Sequence, residues 1–313
     1  TPLICAARSG DTTAIQLLTQ SMTTISTFDR EYYINQKDIQ CKTALDWAAY
    51  HGNEAAIDAL LGAGADATPT DRKGKTCLHW AAYNGHTTAV KKLLTHKVFD
   101  TPDRMGRTAL HWAATHGYSD IAHALLEAMP SEQKIYYLNH RDAEGQTALF
   151  LAARYEHPEV IALLRLYGAP DIPNTRGETA VTATAKKNKK TALATLMETG
   201  IQDVPDYAGR TAVSHVAENG LLGALQTLLA NGAHDIPDYT GKTGLTWALE
   251  HHQFGCVKAL SEYWQKNTPK LLQLAEIDRD ALQQAEQEFE ATVKKRHIQD
   301  TQPSLQEEKN DLQ

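Results

Sequence analysis

The sequence predicts an all-α repeat solenoid of about eight helix–turn–helix units joined by tight turns, followed by a helical C-terminal extension. Three observations predict it. A frame recurs in near-identical form as Gly74-Lys-Thr-Cys-Leu-His-Trp-Ala-Ala82, Gly106-Arg-Thr-Ala-Leu-His-Trp-Ala-Ala114 and Gly145-Gln-Thr-Ala-Leu-Phe-Leu-Ala-Ala153. Its leading threonines are Thr1, Thr43, Thr76, Thr108, Thr147, Thr179, Thr211 and Thr243, separated by 42, 33, 32, 39, 32, 32 and 32 residues. Each frame is followed by an amphipathic segment such as Ala89-Val-Lys-Lys-Leu-Leu94, with apolar residues at i, i+3 and i+4. A fixed period near 33 residues is the signature of stacked repeats.

Every element of the frame has a physical reason. The threonine is an N-cap whose hydroxyl accepts from unpaired backbone N–H groups at the start of a helix. Leu45, Leu78, Leu110, Leu149 and their counterparts point between repeats, and the Ala-Ala pairs allow close helix approach. Gly10, Gly52, Gly85, Gly117 and Gly220 end the first helix in a left-handed conformation. Glu156, Asn188 and His252 stand in that place elsewhere, which predicts strained or reshaped turns for Glu and His, whereas Asn tolerates the conformation. The Asp-x-x-Gly stretches (Asp71…Gly74, Asp103…Gly106, Asp142…Gly145) make these tight turns. Cys41 replaces the glycine of one, so that turn is expected to deviate. Asp100-Thr-Pro102, Asp171-Ile-Pro173, Asp203-Val-Pro205 and Asp235-Ile-Pro237 read as rigid backbone devices with no chemistry assigned.

The frame resembles the T-P-L-H-x-A signature of the ankyrin repeat family over about Thr1 to Leu260, in eight registered copies, and the resemblance implies that the Asp-x-x-Gly turns are projecting β-hairpin fingers. The organisation expected is a repeat solenoid over 1–262, a helical cap or extension over 263–299 and a disordered tail over 300–313. Thr268-Pro269 reads as an N-cap and first-turn proline opening the extension. Tyr32-Tyr-Ile-Asn-Gln-Lys-Asp38 matches Tyr136-Tyr-Leu-Asn-His-Arg-Asp142, 104 residues apart, after two enlarged connections. Two readings of these tyrosines stay open: packing under a longer loop, or paired aromatic ridges that bind.

Composition narrows the function classes. Hydrophobic residues are 42% and charged residues 22%, which excludes a wholly disordered or collagen-like chain. The balance of 31 Lys+Arg against 38 Asp+Glu gives −7, against a dedicated nucleic-acid binder. The strongest apolar run, Val160–Leu164, is stopped by Arg165, far short of the roughly 20 residues of a bilayer span. Cys5, Cys41, Cys77 and Cys256 form no CxxC pair, so a reduced, cytoplasmic setting is expected. The chain starts at Thr1 in mid-frame and reads as a piece of something longer. It holds no glycine-rich phosphate loop, GxSxG elbow or HExxH motif. The reading is therefore no enzyme, no cofactor, no metal and no small-molecule substrate. His79 and His111 read as braces between neighbouring turns.

In the family it resembles, partners bind the finger tips and the exposed ends of the inner helices. Carried over, this implies contact residues at Tyr50, Arg72, Lys73, Lys75, Trp80, Tyr83, Arg104, Met105, Arg107, Trp112, His116 and Tyr155. Trp47, Trp80 and Trp112 are expected to form a stacked row. Tyrosine and tryptophan are frequent interface anchors, and the basic fingers favour a partner with an acidic segment. The function implied is protein–protein interaction on a concave groove. The irregular repeats and plentiful Gln, His and Thr suit a host-directed effector of an intracellular bacterium, placed in the host cytoplasm. The alternative is the substrate-recognition region of an enzyme whose catalytic domain lies outside the chain.

Overall fold

The computed structural model describes residues 1–22 and 26–271, and statements of number or absence below refer to those. The chain divides into two units, Thr1–Tyr207 and one beginning at Ala208. In the first, α1 (Pro2–Ser9) and α2 (Thr12–Ser21) form an antiparallel pair, and α3 (Thr27–Ile34) stands outside the pairing. Four more elements follow as the pairs α4 (Ala44–Tyr50) with α5 (Glu54–Gly62) and α6 (Cys77–Tyr83) with α7 (Thr87–Thr95). Then come α8 (Ala109–His116) and α9 (Ser119–Ala128), a second lone helix α10 (Ser131–Leu138), α11 (Ala148–Arg154) with α12 (Pro158–Leu166), and α13 (Ala180–Lys186) with α14 (Lys190–Glu198). The second unit holds α15 (Ala212–Glu218) with α16 (Leu222–Ala230) and α17 (Gly244–Glu250) with α18 (Phe254–Leu271).

Within each unit, the first helix of each pair packs on the first helix of the next, and the second on the second. The frame explains this layering. Leu45, Ala48, Ala49, Leu78, Ala81, Ala82, Leu110, Ala113 and Ala114 are all at most 1% exposed, so the small pairs sit where the inner helices touch. The threonine caps form as expected: Thr147 Oγ1 accepts from Phe150 N at 3.2 Å and Thr211 Oγ1 from Ser214 N at 3.3 Å. His79 Nδ1 accepts from Thr76 N at 3.1 Å, so Nε2 carries the proton it donates to Arg107 O of the next repeat at 2.9 Å. His111 makes the same pair of contacts with Thr108 N and Gln146 O. Burial pushes His111 down to about 4, with His140 adding to the effect, so it is neutral near pH 7. These histidines are the inter-repeat braces that the sequence implies.

The fingers are turns without strands. Asp71 N–H donates to Lys75 O and Gly74 N–H to Asp71 O, both at 3.0 Å, while Asp71 Oδ1 accepts from Lys73 N and Lys75 N. The finger at Cys41 keeps the same bonds, Asp38 N to Lys42 O and Cys41 N to Asp38 O, both at 2.9 Å, with Cys41 at φ 63°. The expected deviation does not occur, because the turn's bonds fix the conformation and the residue accepts the strain. The turns at Glu156 and His252 likewise keep the left-handed form, at φ 65° and 57°. The neighbouring repeat explains which turns need glycine. A Cβ on Gly117 would lie 2.5 Å from His157 Nδ1, whereas Glu156 meets Lys189, whose Nζ is 3.8 Å from its carboxylate.

The Asp-x-Pro devices do carry chemistry. Asp100 accepts from Ala109 N at 2.8 Å and Asp171 from Ala180 N at 2.7 Å, each capping the inner helix nine residues on. The tyrosine pairs divide their roles. Tyr136 and Tyr32 are 78% and 69% exposed, while Tyr137 is buried and its hydroxyl donates to Asp100. At the C-terminal end, α18 runs unbroken through Thr268–Pro269, so that pair lies inside a helix and does not open one. The remainder of the expected extension and the whole 300–313 tail lie outside the described residues.

Candidate functional site

The fingers and inner-helix ends of α4, α6, α8 and α11 bring the predicted contact residues onto one part of the first unit. The organising feature is a basic residue five positions before Trp47, Trp80, Trp112 and Trp247. That spacing places the cation on the finger and the indole on the helix behind it. Lys42 Nζ lies 4.3 Å from the Trp47 ring and 3.7 Å from the Trp80 ring. Lys75 Nζ lies 4.6 Å from Trp80 and 3.7 Å from Trp112. The Arg8 and Arg107 guanidinium carbons lie 5.3 and 5.2 Å from Trp47 and Trp112. The order is thus Arg8, Trp47, Lys42, Trp80, Lys75, Trp112, Arg107: cation and ring alternate. A cation within about 6 Å of a ring centroid is attracted by the ring quadrupole, by about 2 kcal/mol when desolvated.

Tyrosine edges complete the row. Ring centroids are 5.5 Å apart for Tyr50–Trp80 and 5.2 Å for Tyr83–Trp112, both edge-on. The expected stacked row of tryptophans is therefore replaced: lysine ammoniums and tyrosine edges lie between the indoles. Trp47 Nε1 donates to Asp38 at 2.9 Å and Trp112 Nε1 to Asp103 at 3.2 Å, tying helix to finger. Trp80 Nε1 is buried without an acceptor. Burial pushes Lys75 down to about 8, opposed by the Asp103 and Asp71 carboxylates. Burial also lowers Lys42, opposed by Asp71, Asp46 and Asp38.

This arrangement sorts the sequence-predicted residues. Lys75 and Trp80 are only 6% and 9% exposed, so they support the face from within and present little to a partner. Tyr50, Tyr83, Arg107, Trp112 and His116 are half-buried in the row. Arg72, Lys73, Arg104, Met105 and Tyr155 are exposed. Arg8 is the member that the sequence reading lacks; Lys42, which the same resemblance gives as a finger position, joins the row at its five-residue spacing to Trp47. In the later repeats the same finger position is neutralised by a charge eight residues on. Glu178 pairs with Lys186 at 3.1 Å, Arg210 with Glu218 at 2.5 Å and Lys242 with Glu250 at 2.8 Å. In α4 and α6 that eighth position is Tyr50 or Tyr83, so the positive charge there is met by rings. No group of three His, Cys, Asp or Glu residues is placed to hold a metal ion among the described residues.

Family models for ankyrin repeats match residues 45–135 as three copies and 144–178 as one. The chain is an ankyrin repeat protein. Among solved structures, the ankyrin repeat domain of Bcl-3, described as a unique member of the IkappaB protein family, aligns with 25% identity and a TM-score of 0.62. That alignment covers 69% of this chain and 98% of the other. The human ASB11 ankyrin repeat domain is 22% identical with a TM-score of 0.60, over 75% of this chain and 99% of its own, and shows the fold alone. A comparison with curated proteins finds no match. Ankyrin repeats are in general protein–protein interaction modules, and no described helix is long and apolar enough to cross a membrane.

Proposed function

We propose that this ankyrin repeat chain is a non-enzymatic module that holds a protein partner on the face built by its second to fifth repeats. The observation that carries the reading is the alternating row from Arg8 to Arg107, because it fixes a surface before any partner arrives. A preformed surface avoids the cost of ordering side chains on binding. The exposed rim, Arg72, Lys73, Arg104, Met105 and Tyr155, supplies the contacts, and its cations favour a partner with an acidic segment. On its irregular spacing and its Gln, His and Thr content, we assign the chain to a bacterial effector acting in the host cytoplasm.

The test is affinity capture from host-cell lysate. Exposed positions are the informative ones, because changing half-buried Tyr50 or Tyr83 would also disturb the row. Arg104→Glu/Met105→Ala/Tyr155→Ala is expected to lose a partner that wild type captures. A control on the outer helices, Lys91→Glu/His123→Ala, is expected to keep it. Retention of every captured partner by the triple variant would show that the face is wrongly placed.

A further inference from the structure

The finger tips of repeats two to five form a single bonded row. Arg72 N–H donates to Gln40 O at 3.3 Å, Arg104 N–H to Lys73 O at 3.0 Å and Ala143 N–H to Met105 O at 2.8 Å, each joining one finger to the next. Along that row the exposed chemistry is ordered. Ile39 on the second finger is 85% exposed. The third finger presents Arg72 and Lys73, and the fourth presents Arg104 with Met105, the latter 45% exposed. The fifth presents Glu144, with its side chain 46% exposed and 4.0 Å from the Arg107 guanidinium. No described carboxylate forms an ion pair with Arg72, Lys73 or Arg104. The row therefore reads apolar, cationic, cationic, anionic.

Its pitch selects a backbone. Neighbouring inner helices pack about 9 Å apart, and the fingers follow them. A polyproline II segment rises about 3.1 Å per residue with three residues per turn. Three residues thus span about 9 Å and return the side chain to the same side. An α-helix covers the same distance in about six residues, which turns its side chain well off that side.

Resting on the face described above, we propose that the fingers read an extended acidic segment one position per repeat. The segment places an apolar side chain at Ile39, carboxylates three residues apart at Arg72/Lys73 and at Arg104, and an uncharged or basic residue at Glu144. The carboxylates would make charge-assisted hydrogen bonds with the two guanidiniums, which are the stronger class of such bonds. The Glu144 carboxylate repels a third acidic residue and so sets the order.

The test uses the whole 313-residue chain and fluorescein-labelled peptides followed by anisotropy. One peptide is Leu-Pro-Pro-Glu-Pro-Pro-Glu-Pro-Pro-Gln. The second has the same composition with the glutamates two residues apart, and the third has glutamine for both glutamates. The first is expected to bind at least tenfold tighter than either other, with affinity falling as salt is raised. Arg72→Glu/Arg104→Glu, with an unchanged circular dichroism spectrum, is expected to lose at least tenfold. Equal binding of the two acidic peptides, no binding of the first, or full binding by the reversed-charge variant would each overturn the inference. If the peptides fail while Arg104→Glu/Met105→Ala/Tyr155→Ala still loses its captured partner, the register is wrong and the face reading stands.

Discussion

Trp80→Ala is expected to lower the unfolding free energy by about 3–5 kcal/mol, the range for deleting a buried large aromatic side chain. Trp80 is the most deeply buried ring of the row, with Lys42 at 3.7 Å, Lys75 at 4.6 Å and Tyr50 at 5.5 Å. Its removal opens a cavity and leaves two buried ammoniums short of ring partners, so the loss should fall at the high end. Trp80→Phe should cost much less, because Trp80 Nε1 makes no hydrogen bond to lose. Trp112→Phe differs in kind: it strands the Asp103 oxygen that now accepts from the indole at 3.2 Å. Urea unfolding followed by far-ultraviolet circular dichroism measures all three. A Trp80→Ala loss below about 1 kcal/mol would mean the ring is peripheral to packing.

Asp235→Ala in the second unit is expected to cost about 3 kcal/mol near pH 4, and less as the pH rises. Asp235 is fully buried and accepts from Gly244 N at 2.5 Å, Leu245 N at 3.1 Å and Trp264 Nε1 at 3.1 Å. Alanine leaves three donors unpaired, at about 1 kcal/mol or more each. Burial raises this carboxyl to about 6 from an ordinary 3.8. The folded chain therefore binds more protons than the unfolded chain between those values. The group's stabilisation is complete below about 4 and falls as the pH rises through 6. The interval corresponds to about 3 kcal/mol. The difference between wild type and variant, followed from pH 4 to 8, isolates this group from His111 and from Asp46, whose carboxyl burial raises to about 7. A pH-independent difference would show that Asp235 does not titrate in this range.

The fold was legible because its period is carried by local rules. Threonine caps and left-handed glycines act within one repeat and alanine pairs at each junction with the next, so eight copies reinforce one reading. The contact residues were legible as a set of positions but not as a set of roles. Lys75 and Arg72 stand three residues apart on one finger, and nothing in their type says that Lys75 points inward to the rings while Arg72 points out. The depth of each is decided by the neighbouring repeat, whose tryptophan meets the lysine. The same cause hid the Asp-x-Pro caps. Their acceptor role depends on the connection folding back onto the next inner helix, and proline's fixed φ drew attention to the backbone instead. It also misled the reading of Cys41, where a ring of backbone bonds holds the turn whatever the residue.

Cations held between indoles organise the face, and Lys75 lies closest to a ring at Trp112, 3.7 Å away. A double-mutant cycle with Lys75→Met and Trp112→Leu, measured by urea unfolding at pH 7, separates their interaction from the cost of each change alone. The predicted coupling is about 1–2 kcal/mol in favour of the wild-type pair. A coupling indistinguishable from zero would contradict the alternating row and the preformed face built on it.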